Sequence, residues 1–132
     1  MSADYDLPGS VTVSVLTPST SITSNTNTIN FDLSPYQGVV GVILNAGANT
    51  AGDANAKLTA SIYDSADNST YAAISGATFT NVTNANSLQV YDLDTRTARR
   101  YIRVVTNVYG VNTAYPVGIS VFGAKQYTPN AV

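Results

Sequence analysis

The residues of this chain that could do chemistry are aspartate, tyrosine, lysine and arginine, because histidine and cysteine are both absent. Ser-His-Asp and Cys-His nucleophilic systems are therefore excluded, as are disulfides and histidine or thiolate metal sites. General acid–base work would fall to Asp, Tyr or Lys. Asp92 and Asp94 stand two apart, which puts both carboxylates on one face of a strand. Such a pair could serve glycoside hydrolysis. Arg96, Arg99 and Arg100 follow within six residues of Asp94, and ion pairing beside a turn accounts for the two acids without catalysis. No other sign of an active site accompanies them.

The remaining chemical motifs are incomplete. Asp94-Thr95-Arg96 is similar to the D-T-[GS] motif of aspartic proteases, but arginine stands where Gly or Ser is required. Asp64, Asp67 and Asn68 could offer oxygens to calcium, yet their spacing is not that of a dedicated D-x-D-x-D-G loop. Local Asx-turn bonding explains them without a metal. Asn45 to Ala56, NAGANTAGDANA, contains Gly47 and Gly52 and no large apolar residue. It lacks the G-K-[ST] ending of a phosphate loop, and a loop of this length is expected to be mobile or functional. Asn68-Ser69-Thr70 and Asn81-Val82-Thr83 match the glycosylation sequon, as a chain rich in Asn and Thr does by chance. The expectation is a protein that is not an enzyme and carries no cofactor and no metal.

The strongest charge feature is arginine. All four arginines, Arg96, Arg99, Arg100 and Arg103, fall within eight residues with Tyr101 among them. Nucleic-acid binding needs a basic domain with several phosphate contacts. The formal net charge here is -2, so no nucleic-acid partner is expected. Arg and Tyr are enriched in protein interfaces, which favours a protein contact. The alternative is a solvated strand face with local ion pairs.

The element that positions these groups runs from Arg99 to Val108, RRYIRVVTNV. Ile102, Val104, Thr106 and Val108 alternate with Arg99, Tyr101, Arg103, Val105 and Asn107, so one face is apolar and the other carries two arginines and a tyrosine. Replacing Ile102 should unsettle a core; replacing Arg103 should test a contact. Around this strand the composition is that of a β protein. Charged residues are 11% and apolar residues 44% of the chain, and glutamate is absent. Thr, Asn, Ser and Val are mediocre helix formers, whereas Val, Ile, Thr and Tyr suit strands. The low charge favours an interface-forming surface.

Further strands are expected at Val11–Leu16, stopped by Pro18, at Ile29–Leu33 and at Val39–Leu44. That last run is apolar throughout and reads as a strand buried on both sides or at the sandwich centre. Residues 19–27 read as a loop. Leu58–Tyr63, Tyr71–Ile74, Thr78–Val82, Leu88–Leu93 and Val117–Phe122 complete an antiparallel, jelly-roll-like β-sandwich of about eight strands. The expected organisation is an extended N-terminal arm over 1–10, one domain over 11–125 and a C-terminal tail over 126–132. Tyr5 and Leu7 in the arm and Tyr127 in the tail join Arg99, Tyr101 and Arg103 as interface candidates. Apolar positions such as Val105 and Phe122 argue for a homo-oligomer. The N-terminus shows no basic or apolar segment of signal-peptide type, and no apolar run reaches the length of a membrane span, so no membrane partner is expected.

Two segments, KLTASIYDSADNSTYAAISGATF over 57–79 and LDTRTARRYIRVVTNVYG over 93–110, followed by the strand PVGISVFGAK, resemble small β-sandwich or jelly-roll structural proteins of tailed bacteriophages, above all capsid decoration (cement) proteins. The resemblance covers roughly the C-terminal three-fifths of the chain. It implies a virion structural protein on the capsid exterior, made in the host bacterial cytoplasm. It further implies a homotrimer whose partner is the major capsid protein. The same turn pattern occurs in discoidin-like carbohydrate-binding sandwiches, so a carbohydrate-binding or tail-associated adhesion module is the alternative.

Overall fold

The structure is a computed structural model that describes residues 11–125. Tyr5, Leu7, Tyr127, the arm and the tail lie outside the described residues. Nine strands are present among those described: β1 (Val11–Ile22), β2 (Thr26–Asn27), β3 (Phe31–Asp32), β4 (Tyr36–Ala46), β5 (Lys57–Ser65), β6 (Ala72–Thr78), β7 (Ser87–Asp94), β8 (Tyr101–Tyr109) and β9 (Tyr115–Lys125). One sheet has the order β1-β9-β4-β7, and the other has β2-β8-β5-β6 with β3 also on β8. The chain crosses between sheets at most connections, and all pairings are antiparallel. This is the strand order of a double-sheet jelly roll.

Alternation builds the core. Ile102, Val104 and Thr106 of β8 and Leu58, Ala60 and Ile62 of β5 face Val40, Val42 and Leu44 of β4 and Val117, Ile119 and Val121 of β9, all buried. The strand centred on Ile102 and the β9 alternation therefore stand as the sequence predicts. Gln89 ties the sandwich edge: its side chain accepts from Thr80 N at 2.7 Å and donates to Thr80 O at 2.9 Å.

Several local expectations are corrected. Pro18 does not stop β1, which runs on to Ile22 through register shifts between Val15 and Thr20. An edge strand with a bulge tolerates proline because no inward ladder bond is lost. Residues 19–27 are correspondingly not one loop, since they hold the end of β1 and all of β2. Ile29, Phe31 and Leu33 do not share one strand face: Ile29 is exposed and Leu33 buried. Thr28, just before Ile29, turns inward, accepting from Val104 N through Oγ1 at 2.9 Å while its own N donates to Val104 O at 3.0 Å. That side chain interrupts the ladder and splits one strand into β2 and β3.

Val39–Leu44 is central but not buried on both faces, because Val39 is exposed on the outside of the sheet. Residues 72–78 form a single strand that passes Gly76 at φ 79°. Thr78–Val82 is not a second one: beyond Thr78 only an isolated bridge joins Val82 to Leu58. The Asn45–Ala56 segment is partly strand, and its loop is held in place. Asn49 donates to Asn112 O at 3.0 Å and accepts from Ala114 N at 2.8 Å, and Asp53 accepts from Val111 N at 2.8 Å. Backbone hydrogen bonds from Val111 N first, and then Asn55 N, hold the Asp53 carboxyl below the usual carboxylate range.

Candidate functional site: the arginine end and the tyrosine face

The loop between β7 and β8 brings the arginines to one end of the sandwich. Asp94 starts the turn: it accepts from Arg96 N at 2.9 Å and from Arg96 Nη2 at 3.1 Å, which lowers its pKa through the arginine hydrogen bond. Asp92 lies beside it on the outer face of β7, opposite Gly41. The two acids do share a face, and Asp94 is engaged by Arg96.

Arg99 departs from expectation. It precedes β8, and its guanidinium turns to the carboxylate of Asp64, with Nε–Oδ1 at 2.9 Å and Nη2–Oδ1 at 2.8 Å. Its backbone N also donates to Asp64 Oδ2 at 3.0 Å. The Asp64 side chain is 12% exposed, so this is a structural pair that closes the β5 end. Arg99 does not share a face with Tyr101 and Arg103, because the strand alternation begins only at Tyr101. Arg100 pairs with Asp32 at 3.0 Å, and that contact lowers the Asp32 pKa to about 2. These arginines line an open cleft of about 460 Å³ with Leu33, Tyr36, Gln37 and Thr95. Three arginines matched by three aspartates leave it little net attraction for an anion.

Tyr101 and Arg103 do share the outer face of β8. Tyr101 stands opposite Ser65, Arg103 opposite Tyr63, Val105 opposite Ser61 and Tyr109 opposite Lys57. Arg103 lies over the Tyr71 ring with Cζ 4.3 Å from its centroid, Arg100 over Tyr101 at 4.9 Å, and Lys57 over Tyr109 at 5.0 Å. Arg103 makes no ion pair among the described residues, and its Nε is buried without a hydrogen-bond partner there. Burial raises the Tyr71 hydroxyl above its ordinary pKa, with Arg103 opposing. That hydroxyl donates to Asn68 Oδ1 at 2.5 Å.

The loop that carries Tyr71 is rigid for a local reason. Asp67 accepts from Ser65 Oγ at 2.8 Å, Ser69 N at 2.9 Å and Thr70 N at 3.0 Å, which lowers its pKa to about 2. Asn68 takes φ 61°, a conformation Asn tolerates. The Asp64-Asp67-Asn68 cluster is thus spent on Arg99, the turn and Tyr71. Among the described residues no three His, Cys, Asp or Glu side chains converge. Tyr63 and Tyr71 were not singled out by sequence. Their approach to Arg103 depends on β5–β8 register, which neither local segment encodes.

The face can offer aromatic surface, hydroxyls and two cations, Arg103 and Lys57, that pair with no carboxylate among the described residues. Such a set suits contact with a protein or a sugar. No family model matches this chain, and no curated protein matches its sequence.

Proposed function

We propose that this chain is a non-enzymatic structural protein of a tailed-phage virion that binds the outside of the capsid shell and stabilises it, as a homo-oligomer with the major capsid protein as partner. The observation that carries the reading is Arg103. It lies on a Tyr-rich sheet face, and unlike its three neighbouring arginines it has no aspartate among the described residues. Arg and Tyr are the residue types on which interface energy concentrates. The resemblance of 57–79 and 93–110 to decoration proteins supplies the kind of partner.

The test is binding of the full chain to purified capsids of the phage that encodes it, stripped of this protein. Saturable binding that Arg103→Ala and Tyr101→Ala each weaken at least about tenfold, with unchanged unfolding, supports the reading; a tenfold change corresponds to about 1.4 kcal/mol. Absence from purified virions by mass spectrometry overturns it. The tyrosines also favour a second reading, a carbohydrate-binding or adhesion module, because tyrosine rings offer a sugar an apolar face with a hydroxyl edge. Glycan-array binding without capsid affinity selects that one.

A further inference from the structure

The opposite face of the sandwich carries a different signal. Five of the eight exposed large apolar side chains among the described residues stand on the outer face of the β1-β9-β4-β7 sheet: Val13 at 64% exposure, Val15 at 55%, Val39 at 55%, Leu88 at 70% and Val90 at 53%. We propose that this face is where a second copy of the chain packs, sheet against sheet about a two-fold axis. The inference does not rest on the capsid reading.

Register makes the patch continuous. Val15 stands opposite Ser120, Ser120 opposite Ile43, and Ile43 opposite Val90, so one row crosses all four strands. The next row runs Val13, Phe122, Gly41, Asp92. In that row the face is flattened by a ring lying across a glycine. A Cβ on Gly41 would stand 2.3 Å from Phe122 Cε1, so the phenylalanine occupies the space a side chain would fill. A flat apolar sheet face is the surface that sheet-on-sheet packing uses, with layers about 10 Å apart.

Size and charge point to a second copy rather than to a charged partner. Strands about 4.8 Å apart and six residues of length at about 3.3 Å each give on the order of 400 Å² in plan. Protruding side chains raise the accessible area to roughly 700 Å², near the ~800 Å² that each partner contributes to a standard interface. The acids of this face, Asp92 and Asp94, sit together on the edge strand β7, and its one neighbouring cation among the described residues, Arg96 of the following turn, is engaged by Asp94 at that edge. A two-fold axis puts apolar centre on apolar centre and sends both Asp92 carboxylates to the rim. Edge-to-edge pairing is the other route for a β protein, and on β1 the bulges and Pro18 obstruct it.

The experiment is sedimentation equilibrium of the full chain from about 1 to 100 µM, which registers any dimer of micromolar or tighter affinity. The expected species is a dimer. Val90→Lys, on the edge strand β7 in the row that crosses all four strands, should weaken association at least about tenfold, since it sets an ammonium against an apolar partner face, while far-UV dichroism stays that of the parent. Thr59→Lys, on the outer face of the other sheet, should leave the dimer intact. A second measurement covers the case in which Val90→Lys fails to fold. The chain has no cysteine, so Thr59→Cys carries a single nitroxide outside the proposed interface. Four stacked sheets about 10 Å apart then give one intermolecular distance of roughly 40 Å once label length is added. A monomer at 100 µM, an oligomer indifferent to Val90→Lys, a trimer mass, or a label distance under about 25 Å, which two apposed five-stranded sheets would give, overturns the proposal.

Discussion

Ile102 and Arg103 are neighbours on β8 with opposite environments, and replacing each with alanine separates core from surface. Ile102 is fully buried. Ile→Ala removes three carbons, about 2.4 kcal/mol at roughly 0.8 kcal/mol per buried methylene. The cavity left behind adds to that. Ile102 is flanked in register by Asp64 and Phe31, which are held by Arg99 and by ring packing on Tyr36, so collapse into the space is limited. The expected loss is about 3 kcal/mol within the usual 2–5 range, or roughly 10 °C for a chain of this size. Arg103→Ala loses a cation–π contact of about 0.5–1 kcal/mol. It also removes a buried Nε with no hydrogen-bond partner among the described residues, which offsets part of that loss. The net change should stay within about 1 kcal/mol. Urea unfolding followed by far-UV dichroism and tyrosine fluorescence, the chain having no Trp, reads both at one protein concentration so that association does not shift the midpoints. If Arg103→Ala costs 2 kcal/mol or more, on the scale of a core truncation, the arginine belongs to the fold and not to a contact surface.

Arg99→Ala should cost about 2 kcal/mol, because it strands the mostly buried Asp64 carboxylate, whereas Arg96→Ala at the solvent-exposed Asp94 pair should stay under about 0.5 kcal/mol; the same urea titration compares them. Tyr115→Phe should raise stability by about 1 kcal/mol, since the fully buried Tyr115 hydroxyl has no hydrogen-bond partner among the described residues, and calorimetry checks it. Asp32 and Asp67 are held at about 2, against 3.8 for the free group. Their contribution is complete above the unfolded value and is lost as pH falls from about 4 through about 2. Acid titration of the unfolding midpoint should show that decline, and Asp67→Asn should make it shallower.

What could be read from the chain followed from where each strand sits. β8 is an interior strand with mainly polar outer positions, so Ile102 and Val104 announce their face by simple alternation, and on β9 the regular spacing of Val117, Ile119 and Val121 against Gly118, Ser120 and Phe122 does the same. The run Val39–Leu44 misleads because the outer face of its sheet is apolar as well. Periodicity cannot separate a core side from an apolar surface when both carry valine and isoleucine. Pro18 misleads because its effect depends on β1 being an edge, a property of topology. The arginine window was visible as charge, and the Asp94–Arg96 pair with it, but the partners of Arg99 and Arg100 were not. Asp32 and Asp64 lie 68 and 35 residues away, and only the β3–β8 and β5–β8 registers bring them in. Gly41 is explained only by Phe122, which reaches it from β9 across the sheet.

The two outer faces make different demands on any partner, and geometry links them. The apolar face holds its contacts by burial, which salt does not screen; the Tyr–Arg face depends on a cation, and salt weakens it. Copies joined through the β1-β9-β4-β7 sheet turn their Tyr–Arg faces away from each other, because those faces belong to the far sheets of the stack. One flat surface then meets only one such face per pair. The arginine end behaves differently. With the two-fold axis along the strands, both β7–β8 loops point the same way, and two clefts bordered by Tyr36, Arg96 and Arg100 address one surface together. With the axis across the strands, they point apart. Strand-parallel packing therefore gives a bivalent end whose second contact is intramolecular, with the gain in avidity that implies. Strand-antiparallel packing gives a bridge between two separate surfaces. For the proposed dimer, the crossing direction of the sheets, more than any single side chain, decides whether its two arginine ends address one surface or two.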